Sequence, residues 1–216
     1  MRYLIDSAAS AEIEQALAWG ACGITANPSM YLAQNVELET FLQTYAKQEG
    51  IFLSGEVIAD TAEEMIAQAE QIGKIDKHIV IKINFSEQGL MACKLLTQRG
   101  FCCAMTLIFT VAQAVAAMNA GAAYVFPFVG RTDQYSGGDG LQMVADVTAI
   151  AQRRNVYVVA ASIKSLYQLE MLAKMGVDYA AIPFALYQQS LYHPLTSQGT
   201  EGFAKDWEAM QRAKTL

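Results

Sequence analysis

Short apolar runs suited to strands alternate with amphipathic stretches suited to helices along the whole chain, and that alternation leaves few folds open. The strand-like runs fall at residues 3–6, 23–26, 51–57, 79–84, 102–108, 124–129, 156–162 and 179–183. Helix-period patterns occupy 8–19, 61–72, 86–98, 111–120, 144–153 and 166–174. Gly73, Gly100, Gly121 and Gly176 stand where a helix would end in a glycine C-cap. Eight such units predict an α/β protein: a single (β/α)8, or TIM, barrel domain spanning 1–216 with tight loops. A doubly wound open sheet is the alternative. No glycine fingerprint follows the first strand, which argues against its dinucleotide-binding version. A last segment, about 201–213, carries Phe203 and Trp207 four apart, which predicts an extra one-faced helix that caps the barrel or packs on a neighbour.

Composition narrows the function classes. The chain has 216 residues, enough for one sizeable core, and is 53% hydrophobic and only 17% charged. No run reaches the roughly 18 apolar residues that a membrane helix needs, so the apolar excess points instead to surface buried between subunits of a homo-oligomer. The formal net charge is −6, and the densest basic spot is Arg153-Arg154, which disfavours nucleic acid and anionic membranes as partners. The sequence opens on Arg2-Tyr3-Leu4-Ile5-Asp6, already strand-like, so export is not expected. Cys22, Cys93, Cys102 and Cys103 form no spaced metal motif; adjacent Cys102 and Cys103 read as small buried residues, and a reducing cytoplasm suits all four. Neither a metal nor an organic cofactor is expected.

A barrel gathers the C-terminal ends of its strands at one mouth, where enzymes of this architecture keep their chemistry. Polar residues collect at those ends. Asp6 ends the first run, Asn27 follows the second, and Glu56 nears the end of the third. Lys82 lies late in the fourth, Thr106 in the fifth, Arg131 just after the sixth, and Ser162 ends the seventh. Lys82 needs a reason, because it interrupts the apolar run His78-Ile79-Val80-Ile81-Lys82-Ile83-Asn84. A buried ammonium without a partner is relieved by losing its proton, and the neutral amine is a nucleophile that forms Schiff bases. The residues alone leave two readings open. Lys82 snorkels to the rim or pairs with a carboxylate, or it is a Schiff-base lysine. Asp6 is likewise an acid/base group or a cap for the first helix, Glu56 a simple lysine partner, Thr106 an ordinary strand residue, and Asn27 a turn former before Pro28. The loop Ser136-Gly137-Gly138-Asp139-Gly140 lacks the lysine and spacing of a phosphate-binding P-loop and reads as a flexible loop entering a helix.

Six motifs in order resolve that choice. Leu4-Ile5-Asp6-Ser7, Gly23-Ile24-Thr25-Ala26-Asn27-Pro28-Ser29, Val80-Ile81-Lys82-Ile83, Thr106-Leu107-Ile108-Phe109, Pro127-Phe128-Val129-Gly130-Arg131 and Ala160-Ala161-Ser162-Ile163-Lys164 run almost the full length. Together they resemble the small transaldolases and fructose-6-phosphate aldolases, class I enzymes that work through a lysine Schiff base. The resemblance implies a (β/α)8 barrel and sugar-phosphate substrates. It implies that Lys82 attacks the C2 carbonyl of a ketose phosphate and that Asp6 serves as the acid/base carboxylate for cleavage of the C3–C4 bond. Glu56 and Thr106 match the residues that hold a catalytic water, and Asn27 and Thr25 those that meet the substrate. Arg131 and Ser162, supported by Lys164, would receive the phosphate, a task suited to a guanidinium fork. Family members form ring-stacked decamers, so a homo-oligomer is implied.

Several positions divide the family or depart from it. Aldolases pair a glutamine with a tyrosine around the water, whereas transaldolases resemble this chain in having Glu56 and Phe128. That favours transfer of a dihydroxyacetone unit to an aldose phosphate over its release. An aldolase that frees the unit, or a related ketone such as hydroxyacetone, is the alternative, and an inactive sugar-phosphate-binding protein is a third reading. Phe126 falls where a serine or alanine normally flanks the donor's C1 hydroxyl, and Asn84 replaces a common proline. Lys164 stands where the large transaldolases carry arginine.

Overall fold

The structure, a computed structural model, describes residues 1–135 and 137–213. Eight strands form a closed, all-parallel barrel in sequence order: β1 (Arg2–Asp6), β2 (Gly23–Thr25), β3 (Phe52–Val57), β4 (Val80–Asn84), β5 (Cys103–Ile108), β6 (Tyr124–Pro127), β7 (Tyr157–Ala160) and β8 (Tyr179–Ile182). Closure is made by β1, whose Arg2–Ile5 pair with Tyr179–Ile182 of β8. Helices α1 (Ser10–Ala18), α2 (Pro28–Gln34), α3 (Leu38–Tyr45), α4 (Ala62–Ile75), α5 (Glu87–Gln98) and α6 (Val111–Asn119) follow the first five strands. They are continued by α7 (Val129–Tyr135), α8 (Gly140–Ala151), α9 (Leu166–Lys174), α10 (Phe184–Ser190) and α11 (Pro194–Ala213). This is the (β/α)8 barrel with a C-terminal helix that the alternation predicts.

Strand pleating sends alternate side chains to opposite faces, and that sorts the apolar residues into two cores. Ile5, Ile24, Ile81, Ile83, Met105, Val125, Val158 and Ile182 pack outward against the helices. Leu4, Val80, Ala104, Phe126, Val159, Ala161 and Ala181 fill the barrel interior, where one large ring is matched by several small side chains. Below them Phe52, Tyr124 and Tyr179 interlock, with the Phe52 and Tyr124 rings 5.2 Å apart and the Arg2 guanidinium 4.2 Å over the Tyr179 ring. The same alternation fixes the direction of Lys82. Val80 faces inward, so Lys82 and Asn84 do too, one above the other toward the mouth.

The helices start where side-chain caps allow. Thr61, Ser86, Thr110 and Ser165 accept the backbone N–H of Glu64, Gly89, Gln113 and Gln168. Several boundaries differ from the sequence reading. Helices α2, α3, α7 and α10 were not foreseen, although Asn27 as N-cap with Pro28 in the first turn is a recognisable start signal for α2. Gly73 does not end a helix but lies inside α4, where an added Cβ would stand 2.7 Å from Cε1 of Phe101; packing, not turning, explains it. Gly100, Gly121 and Gly176 do have positive φ at helix ends. Strands β6 and β7 end at Pro127 and Ala160, short of the expected 129 and 162: Arg131 does come after β6, in α7, and Ser162 follows β7 with φ of 57°.

Three further expectations need correction or completion. Cys93 and Cys103 are buried, but Cys102 precedes β5 and is partly exposed. The glycine-rich loop leads into α8, with Asp139 accepting the Gln142 N–H at 2.9 Å; its Ser136 lies outside the described residues. Helix α11 begins at Pro194, earlier than about 201, and does not cap the barrel, since none of its described residues is buried. No helix among the described residues is long and apolar enough to cross a membrane.

Candidate active site

The C-terminal mouth of the barrel opens into a pocket of about 360 Å³. All the residues singled out from the sequence line it: Asp6, Thr25, Asn27, Glu56, Lys82, Thr106, Phe126, Phe128, Arg131, Ser162 and Lys164. A larger cavity, about 970 Å³, opens at the opposite end, beneath the aromatic floor. Among the described residues the one buried ion pair, Lys82 with Glu56, lines the smaller pocket and not this cavity.

Lys82 is buried to 5% exposure, which excludes snorkelling. The register of β3 and β4 sets Glu56 directly beside Lys82, and their charged atoms, Oε2 and Nζ, lie 3.0 Å apart. The Glu56 oxygen is close but not aligned for a hydrogen bond. Lys82 Nζ also donates to the Ala26 carbonyl at 2.5 Å and to Thr25 Oγ1 at 3.4 Å, while Ser54 donates to Thr25 Oγ1 at 3.0 Å. On its apolar side Nζ stands 5.9 Å from the centre of the Phe126 ring. The lysine is thus paired with a carboxylate, and its amine is held at a fixed point facing the pocket.

Asp6 ends β1 on the same inner face. Burial raises its carboxyl to about 6; Lys82 opposes that rise, Glu56 adds to it, and Lys164 and Arg131 pull it back. It does not cap α1, whose N-cap is Ala9 and lacks a side-chain cap. Asn27 does cap α2, accepting the Met30 N–H at 3.3 Å, and this leaves its amide NH2 group available at the pocket wall.

Arg131 and Lys164 add positive charge to the lining of the same pocket, within range of Asp6. Arg131 projects from the first turn of α7, with its guanidinium carbon 5.0 Å over the Phe128 ring. Gly130 lets this turn press against the segment after β7: a Cβ there would stand 2.5 Å from both Lys164 Cγ and the Ser162 carbonyl. Two non-glycine residues lining the pocket, Leu107 and Ser162, have positive φ (58° and 57°), and Leu107 sits where the β5–β6 register shifts. Such conformations persist where surrounding structure holds them, and they cluster at functional sites.

Among the described residues, four buried side-chain polar atoms lack a hydrogen-bond partner: Tyr31 Oη, Glu56 Oε2, Asn84 Oδ1 and Ser162 Oγ. Three line this pocket. The fourth, on Tyr31, lies within range of the charges of Glu56 and Asp6, which together with burial, the larger effect, hold its hydroxyl protonated well above the ordinary tyrosine range. Buried polar atoms are normally satisfied by protein or by water; Glu56 Oε2 keeps its ion pair with Lys82, and Asn84 Oδ1 and Ser162 Oγ are open to a polar group in this pocket. Sequence reasoning did not give Tyr31, Ser54 or Leu107 a place in the site, and it marked Asn84 only as a departure from the family's proline. Asn84 had a signal, two residues beyond Lys82 on one strand face; Tyr31 and Leu107 act through tertiary packing and backbone shape, which no local pattern reports.

The fold and pocket define a (β/α)8-barrel enzyme with a buried lysine–carboxylate pair and the cations of Arg131 and Lys164 lining one pocket. Residues 3–215 match the sequence profile of the transaldolase/fructose-6-phosphate aldolase family. The chain is 37% identical over 215 residues to "probable transaldolase 1" of Listeria monocytogenes, covering 98% of this chain and 100% of that protein. It is 41% identical to "probable transaldolase 2" of Bacillus cereus, covering 96% and 97%, and 39% identical to a "probable transaldolase" of Symbiobacterium thermophilum, covering 97% and 98%. The chain belongs to the transaldolase/fructose-6-phosphate aldolase family.

Proposed function

We propose that the enzyme is a transaldolase that cleaves the C3–C4 bond of a ketose phosphate through a Schiff base on Lys82 and transfers the dihydroxyacetone unit to an aldose phosphate. The observation that carries this reading is the Lys82 amine, 5% exposed and 3.0 Å from Glu56, in a pocket shared with Asp6 and Arg131. The neutral amine adds to C2, and the carbinolamine loses its hydroxyl as water, with Glu56 and Thr106 positioning the water that carries the proton. The iminium then accepts the electron pair of the breaking C3–C4 bond while Asp6 takes the proton of the C4 hydroxyl. An aldehyde phosphate leaves and an enamine stays on Lys82. Attack of the enamine on the acceptor aldehyde, return of the proton from Asp6 and hydrolysis of the new iminium complete the transfer. The iminium does the electrophilic work that a Lewis acid does in other aldolases, so this route calls for neither a metal nor an organic cofactor. Arg131, Ser162 and Lys164 hold the phosphate, Asn27 and Thr25 contact substrate hydroxyls, and Phe126 and Phe128 wall the donor.

Phe128 favours transfer, since a phenyl ring brings no proton to the enamine. Release of free dihydroxyacetone is the second reading, and it is favoured by the family match, which takes in fructose-6-phosphate aldolases together with transaldolases. Turnover of fructose 6-phosphate with and without erythrose 4-phosphate separates the two. Acceptor-dependent formation of glyceraldehyde 3-phosphate supports transfer, and acceptor-independent dihydroxyacetone supports aldol cleavage. A protein that binds without turning over either mixture contradicts both.

The working form is a homo-oligomer, in keeping with the decamers of the family. Phe203, Trp207 and Met210 sit at helical spacing on α11 and are 77%, 61% and 51% exposed, an apolar stripe suited to a second copy. The four cysteines are free thiols, which fits a cytoplasmic location.

A further inference from the structure

Asn84 is the group in this pocket whose presence the proposed chemistry has not used. It is the last residue of β4, inward-facing and one pleat nearer the mouth than Lys82, and it stands beside Thr106 in the β4–β5 register. Its side chain lines the pocket, yet its Oδ1 is buried and accepts no hydrogen bond from any described group. Thr106, its register neighbour, does not satisfy it. A carboxamide in that state is matched by a ligand hydroxyl, which can donate to the oxygen or accept from the amide nitrogen as the group is turned.

The layout of the barrel says which hydroxyl. A ketose joined to Lys82 through C2 has two arms. The long arm ends in phosphate, and the groups suited to phosphate follow β6 and β7: Arg131 in α7, and Ser162 and Lys164 beyond β7. The short arm, C1, is thereby left toward β4 and β5 with Phe126 of β6 at its flank, and there Asn84 Oδ1 is the unpartnered amide oxygen. On the β6 side Nζ meets the Phe126 ring, which offers a hydroxyl no conventional hydrogen bond. We infer that Asn84 binds the C1 hydroxyl of the donor and so selects ketose phosphates that carry one. This rests on the Schiff-base reading of Lys82 and adds to it a residue for donor choice.

The test is a ratio measured within each protein, so that a general loss of folding cancels. The kcat/KM for cleavage of fructose 6-phosphate is compared with that for its 1-deoxy analogue, in the native enzyme and in Asn84→Ala and Asn84→Ser. The native enzyme should prefer the hydroxylated substrate by about ten- to hundredfold, the usual worth of a buried hydrogen bond whose loss leaves a partner unsatisfied. Asn84→Ala should bring the ratio close to one, chiefly by losing activity on fructose 6-phosphate, and Asn84→Ser should retain part of the preference. An unchanged ratio in Asn84→Ala, or a native enzyme indifferent to the C1 hydroxyl, overturns the assignment. Borohydride trapping of both substrates on native Lys82 is run alongside. Trapping without discrimination refutes Asn84 alone, whereas failure to trap either substrate refutes the Schiff base on which it rests.

Discussion

The Lys82–Glu56 pair predicts a specific pattern of stability losses. At 3.0 Å, with 6% of each side chain exposed, the two charges attract by about 5 kcal/mol at an effective dielectric constant near 20. Much of that is offset by the water both groups give up, so the pair contributes little net stability compared with an apolar pair of the same size. Removing one partner is different, because the other remains buried. Lys82→Met leaves the Glu56 carboxylate without its cation and within range of the Asp6 carboxyl; Glu56→Leu leaves an ammonium with Thr25, the Ala26 carbonyl and the Asp6 carboxyl beyond them. Each single change should cost about 3 kcal/mol, which for a chain of this length lowers the unfolding midpoint by roughly 6–12 °C. The double variant Lys82→Met/Glu56→Leu should recover most of the loss and unfold close to the native enzyme. Thermal unfolding of the four proteins, followed by circular dichroism at one protein concentration and neutral pH, completes the cycle. Additive losses, with the double variant the least stable of the four, would refute the claim that these two side chains form one buried unit.

Other outcomes follow from the same geometry. If Asp6 is the base, kcat/KM should fall as the pH drops through about 6, since the ionised carboxylate is the active form, and Glu56→Gln should move that limb to lower pH by removing a charge that raises it. Arg131→Ala should raise KM for phosphorylated substrates by about ten- to hundredfold while sparing free dihydroxyacetone; equal losses would make Arg131 structural. Phe128→Tyr should shift the ratio of transfer to release toward release by on the order of tenfold, measured as dihydroxyacetone formed per acceptor consumed, and an unchanged ratio would remove Phe128 as a determinant of transfer.

Much of this architecture is legible in one sequence because a parallel barrel repeats a simple rule. Buried strands are short apolar runs, and a polar residue near the end of such a run points to the mouth. Asp6, Glu56, Lys82 and Thr106 each broke an apolar pattern and each lines the pocket. What was not legible lacks that contrast. Helices α2, α7 and α10 have seven residues each, too few to show a helical period, and none of the described residues of α11 is buried, so no buried face marks its start. The positive φ at Leu107 and Ser162 is imposed by neighbours, on residue types that do not favour it. Gly73 misled for the opposite reason: a glycine required by close packing on Phe101 carries the same letter as one required by a turn.

The central claim is that Lys82 carries the reaction, and covalent trapping tests it most directly. Sodium borohydride added during turnover of fructose 6-phosphate should inactivate the enzyme and fix donor carbon on a single lysine, which peptide mass mapping should place at Lys82; Lys82→Met should neither be labelled nor turn over. Label on another lysine such as Lys94, or turnover retained in Lys82→Met, would contradict the account.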